Sequence, residues 1–209
     1  MAKPPKISAA PVGVRMRRAY FDFKHGQLHV RTAFPGTGGF DEQVTLFCLH
    51  GAQGSSRSFA QLLPVIADVR SVYAPDLPGY GESDPSPNAT LSEAAGAVAD
   101  LAADLRLRQI DLLGIQSGAA VALELAAAKP ELVRRLVLIG VPVTARLPAV
   151  KQPALILRTH LEGAEVLPKI KDAVANAKFV DVLDFGHDLF ESAPAAAVKQ
   201  LAAFLAARA

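Results

Sequence analysis

Asp111-Leu112-Leu113-Gly114-Ile115-Gln116-Ser117-Gly118-Ala119-Ala120 is the stretch on which the reading of this chain turns. A short apolar run passes through a tight turn into an alanine-rich segment. That is the layout of a strand-to-helix elbow, which lifts one side chain above the end of a strand. The pattern for a covalent nucleophile is G-x-S-x-G, and here Gly114-Ile115-Gln116-Ser117-Gly118 stands in its place. Glutamine takes the nucleophile's seat, and the nearest serine comes one place late. Strand and helix pack closely around such a turn, so the residues two places either side must be small. Counted from Gln116 these are Gly114 and Gly118; counted from Ser117 they are Ile115 and Ala119. The elbow centres on Gln116.

Outward from the elbow, apolar runs alternate with helical patterns. Val44-Thr45-Leu46-Phe47-Cys48-Leu49 and Ser71-Val72-Tyr73-Ala74 precede it; Leu136-Val137-Leu138-Ile139, Ala154-Leu155-Ile156-Leu157 and Phe179-Val180-Asp181-Val182-Leu183 follow. Continuous apolar strands of this kind suit a parallel sheet covered on both faces. Helices are expected from Ser55 or Ser56 to about Ile66, from a cap at Thr90 with Glu93 three residues later, after the elbow as far as Lys129-Pro130, over about 165–175, and over 188–207. Ala19–Phe23 and Gln27–Arg31, joined by His25-Gly26, read as an antiparallel hairpin. Strands alternating with helices after that hairpin give an α/β fold, a three-layer α/β/α sandwich.

The chain has 209 residues, 51% of them hydrophobic, enough for one domain with a sizeable core. A net charge of +2 gives no reason to expect nucleic acid. Lys3, Lys6, Arg15, Arg17 and Arg18 gather at the start among prolines, so residues 1–18 are expected to be a flexible basic tail and 19–209 the single domain. No apolar run is long enough to cross a bilayer, so no membrane association is expected. One cysteine, Cys48, sits in an apolar run and forms no internal disulfide, which points to a cytoplasmic setting. Pro35-Gly36-Thr37-Gly38-Gly39 opens no helix and carries no dinucleotide reading, and His160-Leu161-Glu162 lacks the cysteine pair of a zinc site. No cofactor or metal is expected.

His50-Gly51, Asp76-Leu77-Pro78-Gly79-Tyr80-Gly81-Glu82-Ser83, the elbow, Leu136–Gly140 and Gly186-His187 each follow a strand in turn. In this order and spacing the sequence closely resembles the α/β-hydrolase superfamily from Tyr20 onward. The resemblance implies an eight-stranded, mostly parallel sheet whose second strand is antiparallel, with the site at the carboxyl ends of the strands. Where many relatives carry a helical cap, this chain has only the short connection 141–153, so a capless member with a shallow pocket, or one covered by a partner copy, is implied.

By the same resemblance the N–H groups of Ala52 and Ser117 form the oxyanion hole, and His187 is the catalytic base. Glu162 is its acid, with Asp184 the substitute. Gln116 has an amide that is neither nucleophilic nor ionisable, so it forms no acyl-enzyme. Three readings follow. The first is a hydrolase-like enzyme acting on a small, largely apolar carbonyl compound through His187, Glu162 and the oxyanion hole, with Gln116 orienting substrate or water. The second is a retired scaffold that binds a ligand or a protein. The third is a serine hydrolase using the shifted Ser117. A homo-oligomer is compatible with each.

Overall fold

Alternate side chains of the central strands feed two separate cores, and this sets the architecture. The computed structural model describes residues 13–36, 43–142, 149–159, 166–182 and 195–207. Within them the chain runs β1 (Arg15–Phe23), β2 (Gly26–Phe34), β3 (Leu46–Leu49), a 3-10 turn (Ser56–Phe59), α1 (Leu63–Ile66) and β4 (Val72–Pro75). There follow α2 (Leu91–Asp104), β5 (Ile110–Ile115), α3 (Ser117–Ala128), β6 (Val133–Ile139) and β7 (Ala154–Arg158), then α4 (Val166–Ala173), β8 (Ala177–Asp181) and α5 (Ala195–Ala206). The eight strands form one sheet in the order β1-β2-β4-β3-β5-β6-β7-β8. β2 is antiparallel to both neighbours, and the remaining pairs are parallel. This is the sheet that the resemblance implies.

Phe47, Leu49, Leu112, Leu136, Leu138 and Ile156 pack with α2, α3 and α4 on one face. Leu46, Cys48, Leu113, Val137, Ile139 and Leu155 pack with Phe59, Leu63, Leu201 and Leu205 on the other. Period-two alternation in strands buried on both sides yields these two apolar layers, and helices cover each. Cys48 is fully buried, as its setting predicted. Among the described residues no helix is long and apolar enough to cross a membrane.

Four local expectations are corrected, and residues 188–194 of the expected closing helix lie outside the described residues. β1 begins at Arg15, so Arg15–Arg18 belong to the strand and not to the expected tail; their backbone pairs with Arg31–Phe34, while their four side chains are exposed. The helix expected over 55–66 is broken into the 3-10 turn and α1. Pro64 lacks an N–H and is tolerated only in a first turn, so it starts a new helix. β8 lies about two residues earlier than read, in register with Ala154–Arg158. Thr90 caps α2 by accepting from Glu93 N–H at 3.1 Å, but the Glu93 carboxylate takes the N–H and amide of Asn88 instead of returning to Thr90.

An ionic cluster fastens the amino-end edge of the sheet. Asp111, at the start of β5 and fully buried, accepts from Arg70 Nη1 at 3.0 Å and from Arg134 Nε and Nη2 at 2.9 and 2.6 Å. Arg134 and Arg135 reach on to the carbonyls of Phe204 and Leu205, tying down the last turn of α5. Cations suit a helix carboxyl end, where the carbonyls lack intrahelical partners.

Candidate active site

At the opposite, carboxyl edge of the sheet β5 turns into α3. Gln116 makes that turn with φ 51° and ψ −117°, a backbone conformation that side chains rarely adopt. Its N–H donates to Ile139 O at 2.8 Å and its own carbonyl accepts from Ala119 N–H at 2.9 Å, so strand and helix both hold it. The flanking glycines are required. A Cβ on Gly114 would come within 2.5 Å of Gly118 O and 2.6 Å of Ala119 Cα, and one on Gly118 would collide with the carbonyls of Leu49 and His50. Ser117 has passed into the helix as the first residue of α3. The glycine spacing read from the sequence therefore matches a turn centred on Gln116.

The loop after β3 lies beside this turn. Gly51 packs against the Gln116 side chain so closely that a Cβ there would strike the amide. His50 fixes the loop from beneath. It is fully buried, its Nε2 accepts from Leu77 N–H at 2.9 Å, and its Nδ1–H donates to Gly51 O at 2.8 Å. Both ring nitrogens are thereby assigned, and the imidazole is neutral. Burial pushes its pKa below the usual histidine value, against smaller opposing effects of the Gly51 hydrogen bond and the Asp76 charge. The Gly51 carbonyl also accepts from Gly54 N–H at 3.0 Å, closing a turn that holds Ala52 and Gln53 exposed, with Gln53 at φ 62°.

Asp76 anchors the loop after β4. Its Oδ1 accepts from Ser56 N–H at 2.6 Å, and Oδ2 accepts from Glu82 N–H and from His29 Nδ1–H, each at 2.9 Å. Burial alone would raise this carboxyl's pKa; the N–H donors of Glu82 and Ser56 and the imidazole of His29 outweigh it and hold the group below the ordinary carboxylate range. His29 Nε2 faces inward with no hydrogen-bond partner among the described residues. The sequence reading gave no role to His29, Asp76 or the His50 ring. The available signal was a polar residue ending each of two fully apolar strands, and an inward-facing histidine on β2.

Of the residues expected to do chemistry, Gln116, Ser117 and Ala52 are brought to one corner of the sheet. His187, Glu162 and Asp184 lie outside the described residues. No group of three metal-ligating side chains occurs among the described residues.

Comparison with known proteins places this arrangement in context. Residues 44–180 match the α/β hydrolase fold family. The chain is 37% identical over 116 residues to 2-hydroxymuconate semialdehyde hydrolase of Pseudomonas sp. strain CF600, covering 50% of this chain and 41% of that protein. It is 34% identical over 97 residues to the uncharacterized hydrolase YugF of Bacillus subtilis, covering 46% and 36%. The matched region thus spans less than half the length of these relatives. Among solved structures, 2-hydroxy-6-oxo-6-phenylhexa-2,4-dienoate hydrolase from Rhodococcus sp. strain RHA1 superposes with a TM-score of 0.81 at 15% identity, over 93% of this chain and 100% of that one.

Proposed function

We propose that this chain, which belongs to the α/β hydrolase fold family, is a hydrolase-like enzyme that acts on a small carbonyl compound without a serine nucleophile. The observation that carries this reading is Gln116 in the strained elbow seat, with both flanking glycines in van der Waals demand. A primary amide cannot be acylated and released as a serine is, but it donates and accepts hydrogen bonds. His187, oriented by Glu162, takes a proton from water. The hydroxide adds to the substrate carbonyl, and the N–H groups of Ala52 and Ser117 receive the oxyanion. Collapse breaks the bond to the leaving group, which takes the proton back from His187. Gln116 aligns the water or the carbonyl throughout. The short connection 141–153 in place of a cap fits a small substrate. The described cleft beside the site mixes polar and apolar lining, from Gln53, Ser55, Arg57, Ser58 and Gln61 to Gly54, Ala60 and Gly81.

The test is turnover of an ester, thioester and lactone panel, with His187→Ala alongside. Turnover lost in that variant is the expected result; no turnover anywhere, and no effect of the substitution, sinks the proposal. Gln116→Ser is expected to gain labelling by a fluorophosphonate, whereas a fluorophosphonate adduct on Ser117 of the unaltered protein overturns the nucleophile-free route.

A ligand-binding module on the same scaffold is the second reading. It is favoured by the close packing of the Gln116 amide against Gly51. Turnover abolished by His187→Ala excludes it.

A further inference from the structure

An open cleft of about 580 Å³ runs along the loop that backs Gln116, lined by Gln53, Ser55, Arg57, Ser58 and Gln61 and by Gly81 of the neighbouring loop. It begins two residues beyond Gly51, the residue in contact with the Gln116 amide. Its lining is mixed: two amides, two hydroxyls and one guanidinium stand beside Gly54, Ala60 and Gly81, with Arg57 the one charged side chain among the described lining residues. Gln53, one of these lining residues, is held at φ 62°, a backbone conformation that side chains rarely adopt.

Arg57 has one long ion-pair contact. Its Nη2 lies 3.8 Å from Glu82 Oε1, beyond hydrogen-bond reach, and its side chain is 72% exposed. Glu82 is fixed from two other directions: its Oε2 accepts from Tyr20 OH at 3.0 Å, and its N–H is bound to Asp76. An exposed pair at this separation holds its partners weakly, so the guanidinium keeps its paired N–H donors for a carboxylate that binds with both oxygens. The match is to a planar anion at the end of a short polar arm.

We propose that this cleft is the subsite for a carboxylate-bearing arm of the substrate, with Arg57 the specificity-determining cation. The assignment rests on the reading that the reacting carbonyl is bound by the N–H groups of Ala52 and Ser117, and it names the class of compound that this corner accepts: a carbonyl compound carrying a carboxylate a few atoms away. Gln53, Gln61 and Ser58 flank that arm with hydrogen bonds.

Binding tests this without requiring turnover. Monomethyl glutarate, an ester with a free carboxylate, and methyl pentanoate, its neutral counterpart, are titrated by ligand-observed NMR into the unaltered protein, Arg57→Gln and Arg108→Gln. Arg108 is an exposed cation just before β5, at the far edge of the sheet. Thermal unfolding of each variant confirms that it is folded. The expected result is saturable binding of the acid alone, weakened about three- to fivefold in Arg57→Gln and unchanged in Arg108→Gln. Equal weakening in both variants reduces the effect to net charge and overturns the proposal. So does the absence of binding up to about 20 mM acid, or equal affinity for acid and neutral ester. Failure of the proposed catalysis reads differently: the acid binds through Arg57 and no ester is turned over.

Discussion

The side-chain amide of Gln116 rests against the α-carbon of Gly51, leaving no room for a methyl group at position 51. Gly51→Ala is therefore expected to push either the amide or the loop aside. The cost is about 1–3 kcal/mol, the range for forcing an extra methyl into a packed site. Urea unfolding checks it, and an unchanged midpoint would falsify the packing described for this corner.

Gln116 itself bears a backbone strain that glycine relieves. Gln116→Gly is expected to raise stability by about 1 kcal/mol, the strain released less the added freedom of glycine in the unfolded chain. Under the proposed function the same variant loses turnover. Stability and activity thus move in opposite directions, a pairing that denaturant melts and the substrate panel read together.

Acid should destabilise the fold in two stages. His50 has a depressed pKa in the folded state, so its contribution is full above the unfolded value of about 6.5 and is lost as pH falls through its own lower value. Asp76 is also depressed. Its contribution is full above the ordinary carboxylate value of about 3.9 and disappears as pH falls below it. Melting temperature against pH is expected to slope first below neutrality and again in strong acid. Asp76→Asn removes the second slope; a variant that keeps it places the titration elsewhere.

Asp111 carries the ion-pair network at the far edge. Asp111→Ala leaves Arg70 buried without its anion and is expected to cost about 3–5 kcal/mol. Arg134→Ala is expected to cost less, because Arg134 is partly exposed and Arg70 remains paired with Asp111. Equal losses in the two variants, measured by equilibrium unfolding, would contradict that ranking.

Much of this was legible in the sequence because it is local. The apolar runs of β3 and β5–β7 and the glycines around Gln116 each carry their own signal. What escaped notice depends on residues far apart in the chain. Arg70 meets Asp111 across 41 positions and His29 meets Asp76 across 47, and neither pair leaves a periodic trace. Arg15–Arg18 read as a tail because side-chain charge hid a strand whose pairing is made by the backbone. Pro64 was the missed stop signal within the expected 55–66 helix. Arg57 carries no signal of its own in the sequence, because only folding sets it beside Gly81 and Glu82.

The anchoring of Leu205 to Arg134 and Arg135 has a practical consequence. Asp111 and Gln116 stand at opposite ends of β5, whose six residues span about 20 Å at 3.3 Å each. The last turn of α5 is thus bolted to the edge of the sheet remote from the elbow. A protein attached to a surface or sensor through a handle placed after α5 would present Gln116, Gly51 and the Arg57 cleft outward to the solution. The geometry favours that attachment for measuring weak ligands on an immobilised molecule.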